Sequence, residues 1–204
     1  RSPSRGLGDV YKRQVDTNND GSLTPEDRVA LGTPYPDFTW GITNTFQIKD
    51  FDISFLIQGV QGITVLNGDV YYNETKKWNK KYTKNRWVSA EHPGDGKTPY
   101  QNVKTGHDLM LTDYPLQNAS YACLRNFTVG YTLPATAARK IKLSGVRFYV
   151  SGSNLLYIWG SGYKGINPES RMTSGNYSSA MISGYQRGGF PLTSTISAGF
   201  DINF

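Results

Sequence analysis

Apolar and polar residues alternate along five stretches of the chain, a pattern typical of β-strands that present one face to an apolar environment. These stretches are Phe38–Ile48, Phe51–Gln58, Tyr121–Leu133, Val146–Leu156 and Ile196–Phe204. Lys49 and Asp50 alone separate the first two stretches, which predicts a hairpin with a tight turn. The sequence therefore indicates an all-β chain of antiparallel strands.

The connections between these strands alternate in length. The Lys49-Asp50 turn and residues 134–145 are short, whereas residues 59–119 and 157–192 far exceed the ~12–15 residues usual for structureless loops. A soluble β-sandwich gives no reason for this alternation. A large transmembrane β-barrel does, because it has short periplasmic turns at one rim and long extracellular loops at the other. We therefore expect transmembrane strands joined in this way.

A strand face that contacts lipid should carry no charge, because Lys or Arg at the middle of the bilayer costs about 2–4 kcal/mol. The apolar faces of the first, second and last stretches meet this condition. Arg125 does not, since it shares the parity of Phe127 and Val129. Either Arg125 lies at the outer rim, or a β-bulge turns it to the other face.

Five strands leave two edges open and cannot close a barrel. We therefore expect residues 15–204 to be the C-terminal portion of a larger barrel. The alternative is a secreted, calcium-stabilised β-sandwich that binds carbohydrate and has its remaining strands inside the two long connections. Such a module would fold alone and be soluble without detergent.

Composition changes this picture little. Aromatic residues make up 13% of the chain and Gly occurs 22 times, which suits β-structure with many turns. The net charge is +6, but half of it comes from residues 1–14, RSPSRGLGDVYKRQ, which lack periodicity and resemble translated adaptor sequence. We treat residues 1–14 as a non-native or assembly-derived segment. The remaining charge does not indicate a nucleic-acid partner.

The stretch VDTNNDGSLTPED, residues 15–27, has the spacing of a calcium loop, with oxygen ligands around a turn-forming Gly21. The candidate ligands for a structural calcium ion are Asp16, Asn18, Asp20, Ser22 and Asp27. Asp27 replaces the longer Glu that usually chelates with both oxygens, and no amphipathic helix precedes the loop, so a paired EF-hand is not expected. The alternative is a turn rich in Asn and Asp that needs no metal.

The segment KKWNKKYTKNRW, residues 76–87, interleaves cations with aromatic rings. Such rings can stack on sugars, and the cations can meet an acidic ligand or partner. The candidate contact residues are Trp78, Lys80, Lys81, Tyr82 and Trp87. The alternative is an exposed, solvated loop.

Catalytic chemistry is not indicated by the sequence. His92 and His107 lack a spaced carboxylate or cysteine set, and Cys123 lies in a predicted strand without a partner for a disulfide. We expect no enzymatic activity.

The chain resembles the C-terminal part of SusC/RagA-type TonB-dependent outer-membrane transporters of Bacteroidetes. The matching stretches are DTNNDGSLTPEDRVALGTPYPDFTWGITNTFQIKDFDISFLIQGVQG, NASYACLRNFTVGYTLP, VRFYVSGSNLLYIWGSGYKGINPE and STISAGFDINF. The resemblance implies a barrel of about 22 strands with a plugged lumen, of which these would be the last. It also implies a periplasmic end at Phe204, where Phe200, Ile202 and Phe204 look like a signal for the barrel-assembly machinery.

The resemblance further implies a function and its partners. The function would be active import of a large nutrient across the outer membrane, most often an oligosaccharide and sometimes a peptide. Energy would arrive through the TonB complex and parts of the receptor outside this chain, a SusD-like lipoprotein would close the barrel as a lid, and outer-membrane lipid would surround it. A calcium ion, if bound, would stiffen an extracellular loop. A passive porin would share the barrel but lack a plug.

Overall fold

The computed structural model describes residues 16–22, 24–27, 29–69, 87–95, 113–160, 162–170, 184–187 and 189–204. These residues contain eight strands and one short α-helix, besides a 3₁₀ turn at Pro25–Asp27. The strands are β1 Phe38–Ile48, β2 Phe51–Gln61, β3 Thr64–Asn67, β4 Leu116–Asn118, β5 Tyr121–Thr132, β6 Gly145–Trp159, β7 Tyr185–Gln186 and β8 Thr195–Asn203. The helix is α1, Ala135–Lys140.

The larger sheet has five strands in the order β1-β2-β5-β6-β8, and every neighbouring pair is antiparallel. These are the five strands that the alternating pattern predicts. Two of them extend beyond the prediction, since β2 continues to Gln61 and β6 runs from Gly145 to Trp159. The prediction of an all-β antiparallel fold is confirmed.

Both short connections lie at one end of the larger sheet. Ile48 pairs directly with Phe51, and Lys49 between them has a positive φ of 54°, which closes the tight hairpin. The second connection contains α1, which the sequence pattern did not predict. The helix ends where Lys142 takes a φ of 60° and the Leu143 N–H donates to the Ala138 carbonyl at 3.1 Å, a Schellman-type termination.

The long connections contribute a second, three-stranded sheet in the order β4-β3-β7. Strand β3 pairs antiparallel with β4 and parallel with β7. These three strands do not join the five-stranded sheet. The chain divides into two units, one with the five-stranded sheet and one with the three-stranded sheet.

Burial differs sharply between the two sheets. The small sheet has a tight interior, where Ile63 and Val65 are almost completely buried. Strand β1 of the larger sheet is exposed along nearly its whole length, and so is β8. Among the described residues, no helix combines the length and apolar character needed to cross a membrane.

Candidate functional site

The apolar face of the larger sheet begins with a row of residues that crosses all five strands. Ile48 pairs with Phe51, Phe51 with Tyr131, Tyr131 with Phe148, and Phe148 with Phe200. Directly paired residues of a sheet point to the same side, so these side chains form one band beside the short connections. The Phe51 and Tyr131 ring centroids are 4.8 Å apart. We call this band the girdle row, because aromatic bands mark the membrane interfaces of outer-membrane barrels.

The apolar face, the girdle row included, is exposed or half-buried over most of its length and carries no charge in the described strands. Ile158 and Phe200 each keep 63% of their surface exposed. A face of this size and composition is not left to water in a soluble protein. It fits the outward-facing band of a transmembrane barrel, where lipid covers it.

The opposite, polar face carries an ion cluster that joins three strands. Arg147 of β6 donates from Nη2 to Asp52 Oδ2 at 2.6 Å and from Nε to Asp52 Oδ1 at 3.0 Å, and its Nη1 reaches Asp201 Oδ2 at 3.3 Å. The guanidinium crosses β5 at Gly130, where a Cβ would collide with both Asp52 and Arg147. The side chains of Asp52 and Arg147 are each 32% exposed, which suits the polar lumen of a barrel rather than lipid.

Arg125 lies at a bulge rather than at the outer rim. The pairing of β5 with β2 and with β6 slips between Leu124 and Asn126, so the parity of the strand changes there. Arg125 Nη1 donates to Asn154 Oδ1 and to Tyr157 Oη, each at 2.8 Å. With its amide oxygen turned toward Arg125, Gln58 accepts from Nη2 at 2.7 Å. The bulge alternative is therefore right, and the arginine faces the polar side.

The candidate calcium loop is closed by hydrogen bonds from its own backbone and side chains. Asp16 accepts the Asp20 N–H at 3.2 Å and the Gly21 N–H at 2.8 Å. Asp20 Oδ1 accepts the Ser22 N–H at 2.7 Å, and its Oδ2 accepts Asn18 Nδ2 at 2.9 Å. These contacts bring the predicted ligands at the start of the loop into one turn.

Asp27 joins the two ends of the same loop. Its Oδ2 accepts the Thr24 N–H at 2.8 Å, and its Oδ1 accepts the Thr17 N–H at 2.8 Å. These backbone donors, Thr24 first, hold the pKa of Asp27 below the ordinary value of 3.8. In the described part of the chain, no group of three or more His, Cys, Asp or Glu side chains is placed to hold a metal ion. Calcium binding stays a prediction.

The other predicted site residues divide between described and undescribed parts of the chain. Trp78, Lys80, Lys81 and Tyr82 lie outside the described residues. Trp87 is half-buried and takes part in at least one polar or ring interaction. Phe200 and Ile202 point from the apolar face, and Phe204 is 93% exposed just beyond β8. Their role in barrel assembly stays a prediction.

Sequence reasoning missed a buried polar network around the small sheet. Asn67 Nδ2 donates to Gln117 Oε1 at 3.0 Å, and the same oxygen accepts the Lys164 N–H at 2.9 Å. Tyr163 Oη donates to Gln186 Oε1 at 2.8 Å. Four segments of the long connections, around residues 67, 117, 163 and 186, are thereby tied together. The sequence alone holds no signal for these contacts, because each joins residues far apart in the chain.

The chain matches no known family model. It is 30% identical to TonB-dependent receptor P26 of Formosa agariphila over 199 residues, which cover 93% of this chain and 19% of that receptor. It is 28% identical to TonB-dependent receptor SusC of Bacteroides thetaiotaomicron, over 76% of this chain and 15% of SusC. The chain thus spans about a fifth or less of the length of these relatives.

Solved structures show the same fold. The RagAB peptide transporter superposes with a TM-score of 0.61 at 21% identity, over 90% of this chain and 19% of that chain. The RagAB peptide importer in its closed-closed state gives a TM-score of 0.60 at 21% identity, over 86% of this chain and 18% of that chain. A transmembrane barrel accounts for the charge-free face and the polar face of the sheet. The chain belongs to the SusC/RagA-type TonB-dependent receptors of the bacterial outer membrane, and its five-stranded sheet is part of their transmembrane β-barrel.

Proposed function

We propose that the receptor containing this chain imports a large nutrient across the outer membrane, with energy delivered through TonB. The observation that carries the proposal is the division of the sheet into a charge-free apolar face and a polar face with the Asp52–Arg147–Asp201 cluster. A barrel wall of this kind separates lipid from a lumen through which a hydrophilic solute can pass. The chain supplies strands of that wall and part of the outer loops.

The substrate we favour is an oligosaccharide, with a peptide as the second candidate. On the polar face, the Tyr157 and Trp159 ring centroids are 6.3 Å apart, and the Arg125 guanidinium lies 5.8 Å from the Tyr157 ring. Aromatic rings beside hydrogen-bonding side chains suit sugar rings and their hydroxyl groups. The peptide candidate is supported by the likeness of the fold to the RagAB peptide transporter.

Membership of the TonB-dependent receptors also suggests two partners. We propose that a SusD-like lipoprotein covers the outer mouth of the receptor and that the TonB complex acts on parts of the receptor outside this chain. The relationship to SusC supports both partners. Co-purification of the tagged full-length receptor, followed by mass spectrometry, should recover such a lipoprotein in near-equal amount.

Uptake by the source bacterium tests the function. Deletion of the full-length gene should abolish accumulation of a fluorescent oligosaccharide, and re-expression should restore it. Collapse of the proton gradient with an uncoupler should stop uptake in the restored strain. Uptake that persists without the gradient would indicate a passive porin and contradict the proposal, and preferential uptake of labelled peptides would replace the favoured substrate with the second candidate.

The segment at residues 76–87 is tested in the same strain. We propose that Trp78, Tyr82 and Trp87, with Lys80 and Lys81, contact the substrate or the lid. Replacing the three aromatic residues by Ala should raise the substrate concentration at half-maximal uptake or release the lid. A matched variant with Phe at all three positions keeps the flat rings and should retain most of the affinity. Unchanged affinity and lid association in the Ala variant would remove these residues from the site.

A further inference from the structure

The short-connection end of the larger sheet carries an exposed group of cations. Lys49 lies in the β1–β2 turn, and Arg139, Lys140 and Lys142 lie at the end of α1 and just after it. We call these four residues the basic rim. All four are exposed, and the Asp50 carboxylate is the one acidic group in the same two connections.

Hydrogen bonds hold the two connections beside each other. The Thr132 N–H at the end of β5 donates to the Asp50 carbonyl at 2.8 Å, which ties the Lys49-Asp50 turn to the start of the α1 connection. The Ser144 N–H donates to the Asn203 carbonyl at 2.8 Å, which ties the end of that connection to β8. The cations therefore lie together at the short-connection end of the larger sheet.

The basic rim differs from Arg147, a cation of the polar face. Arg147 is neutralised by Asp52 and Asp201. Within the described residues, no ion pair involves a member of the basic rim. Four exposed cations without carboxylate partners attract a surface of opposite charge more strongly than a mixed surface does.

The position of the basic rim relative to the apolar face indicates which negatively charged surface it meets. Lys49 stands between Ile48 and Phe51, two members of the girdle row, and the α1 cations lie on the connection between Tyr131 and Phe148, two others. Ile141, among these cations, is 57% exposed. The cations thus lie directly beside the lipid-facing residues, at the depth of the membrane headgroups.

We propose that the basic rim binds the phosphate groups of anionic phospholipids in the periplasmic leaflet of the outer membrane. Arg139 can donate two parallel N–H bonds to a phosphodiester, while the lysines act as compact charges with three donors each. Each Lys or Arg beside an anionic surface is worth roughly fivefold in affinity at low salt, so the three cations of the α1 connection supply on the order of tenfold or more after screening. The inference rests on the outer-membrane barrel and not on the transported substrate.

Native mass spectrometry of the detergent-purified full-length receptor tests the proposal. The probe lipids are phosphatidylglycerol, which carries a net negative charge, and phosphatidylcholine, which does not. The variant Arg139→Gln/Lys140→Gln/Lys142→Gln should retain about tenfold less phosphatidylglycerol than the wild type, with phosphatidylcholine retention unchanged. The control Lys76→Gln/Lys77→Gln/Lys84→Gln makes the same change of charge in a long connection and should bind phosphatidylglycerol like the wild type. An equal loss in both variants, or no loss in the first, would overturn the proposal.

A second measurement uses the wild-type receptor and so does not depend on folding of the variant. A phosphatidylglycerol with a photoreactive headgroup should cross-link to the peptide that contains residues 135–145, and 0.5 M salt should suppress the cross-link. Cross-links confined to other peptides would contradict the proposal. Lipid A also carries phosphates, but it belongs to the other leaflet, so equal competition by lipid A at residues 135–145 would refute the assignment to periplasmic phospholipid.

Discussion

Placing an arginine at Phe55 should destabilise the barrel because this side chain faces the middle of the bilayer. Phe55 of β2 lies four positions beyond Phe51 of the girdle row, and its cross-strand partner on β5 is Phe127. At roughly 3.4 Å per residue and a strand tilt of about 40°, Phe55 lies about 10 Å inside the membrane interface. The apolar band is about 25 Å tall, so this depth is close to the midplane.

The expected loss of unfolding free energy follows from that depth. An arginine at the midplane of an outer-membrane barrel costs about 2–4 kcal/mol. The loss of the aromatic ring, which packs 6.2 Å from the Phe46 ring, adds to this cost and is isolated by Phe55→Leu. The matched control is Ser54→Arg, one residue away on the polar face between Thr45 and Thr128. That arginine enters the lumen and should cost less than about 1 kcal/mol.

The assay is guanidinium unfolding of the full-length receptor in detergent, with the folded fraction read from heat-modifiable mobility on gels. Phe55→Arg should lower the free energy of unfolding by about 2–4 kcal/mol relative to Phe55→Leu, with the slope unchanged. Equal destabilisation by Ser54→Arg and Phe55→Arg would refute the assignment of the two faces. A larger loss of unfolding free energy in Ser54→Arg than in Phe55→Arg would show that the face of Ser54, and not that of Phe55, meets lipid.

Three further predictions concern the ion cluster and the calcium loop. Gly130→Ala should lower the free energy of unfolding by about 1–3 kcal/mol, since a Cβ separates Arg147 from Asp52; if adding Arg147→Met to Gly130→Ala restores no stability, the clash is not the cause. Because hydrogen bonds lower the pKa of Asp27 in the folded loop, their stabilisation is present above pH 3.8 and is lost as the pH falls through the lowered value; the protection factors of the donor amides, which are the intrinsic exchange rates divided by the observed rates at the same pH, should fall only below pH 3.8, and a fall near neutral pH would contradict this. Calorimetric titration of the full-length receptor with calcium should give heat that disappears in Asp16→Ala, and a heat that survives this change would assign the ion to another site.

The strands of the larger sheet were predictable because lipid imposes a rule that can be read residue by residue. Apolar side chains recur at every second position of a lipid-facing strand, so β1 and β8 were located to within a residue at each end and β2 was located from its first residue. The rule fails at Arg125, where an extra residue shifts the parity of β5 without any local mark in the sequence. The sequence is compatible with both alternatives for Arg125, the outer rim and the bulge, and does not distinguish them.

The elements that sequence reasoning missed are short. Helix α1 has 6 residues and begins after Pro134, too few for a period of 3.6 to be recognised. Strands β4 and β7 have 3 and 2 residues, and partners far away in the chain select them. The Asp52–Arg147–Asp201 cluster could have been found, because each member lies on the polar parity of its strand close to a short connection. The candidate calcium ligands were located by spacing, but hydrogen bonds within the loop do not decide whether an ion binds.

The orientation of β2 in the membrane is the most direct test of the claim that the five-stranded sheet is part of an outer-membrane barrel. Single spin labels at residues 51–58, in a full-length receptor carrying Cys123→Ser and reconstituted in lipid, report contact with oxygen from the bilayer or with a water-soluble nickel reagent. Positions 51, 53, 55 and 57 should favour oxygen, and positions 52, 54, 56 and 58 should favour nickel. Access of the nickel reagent to both sets alike would place the sheet in water and contradict the outer-membrane barrel.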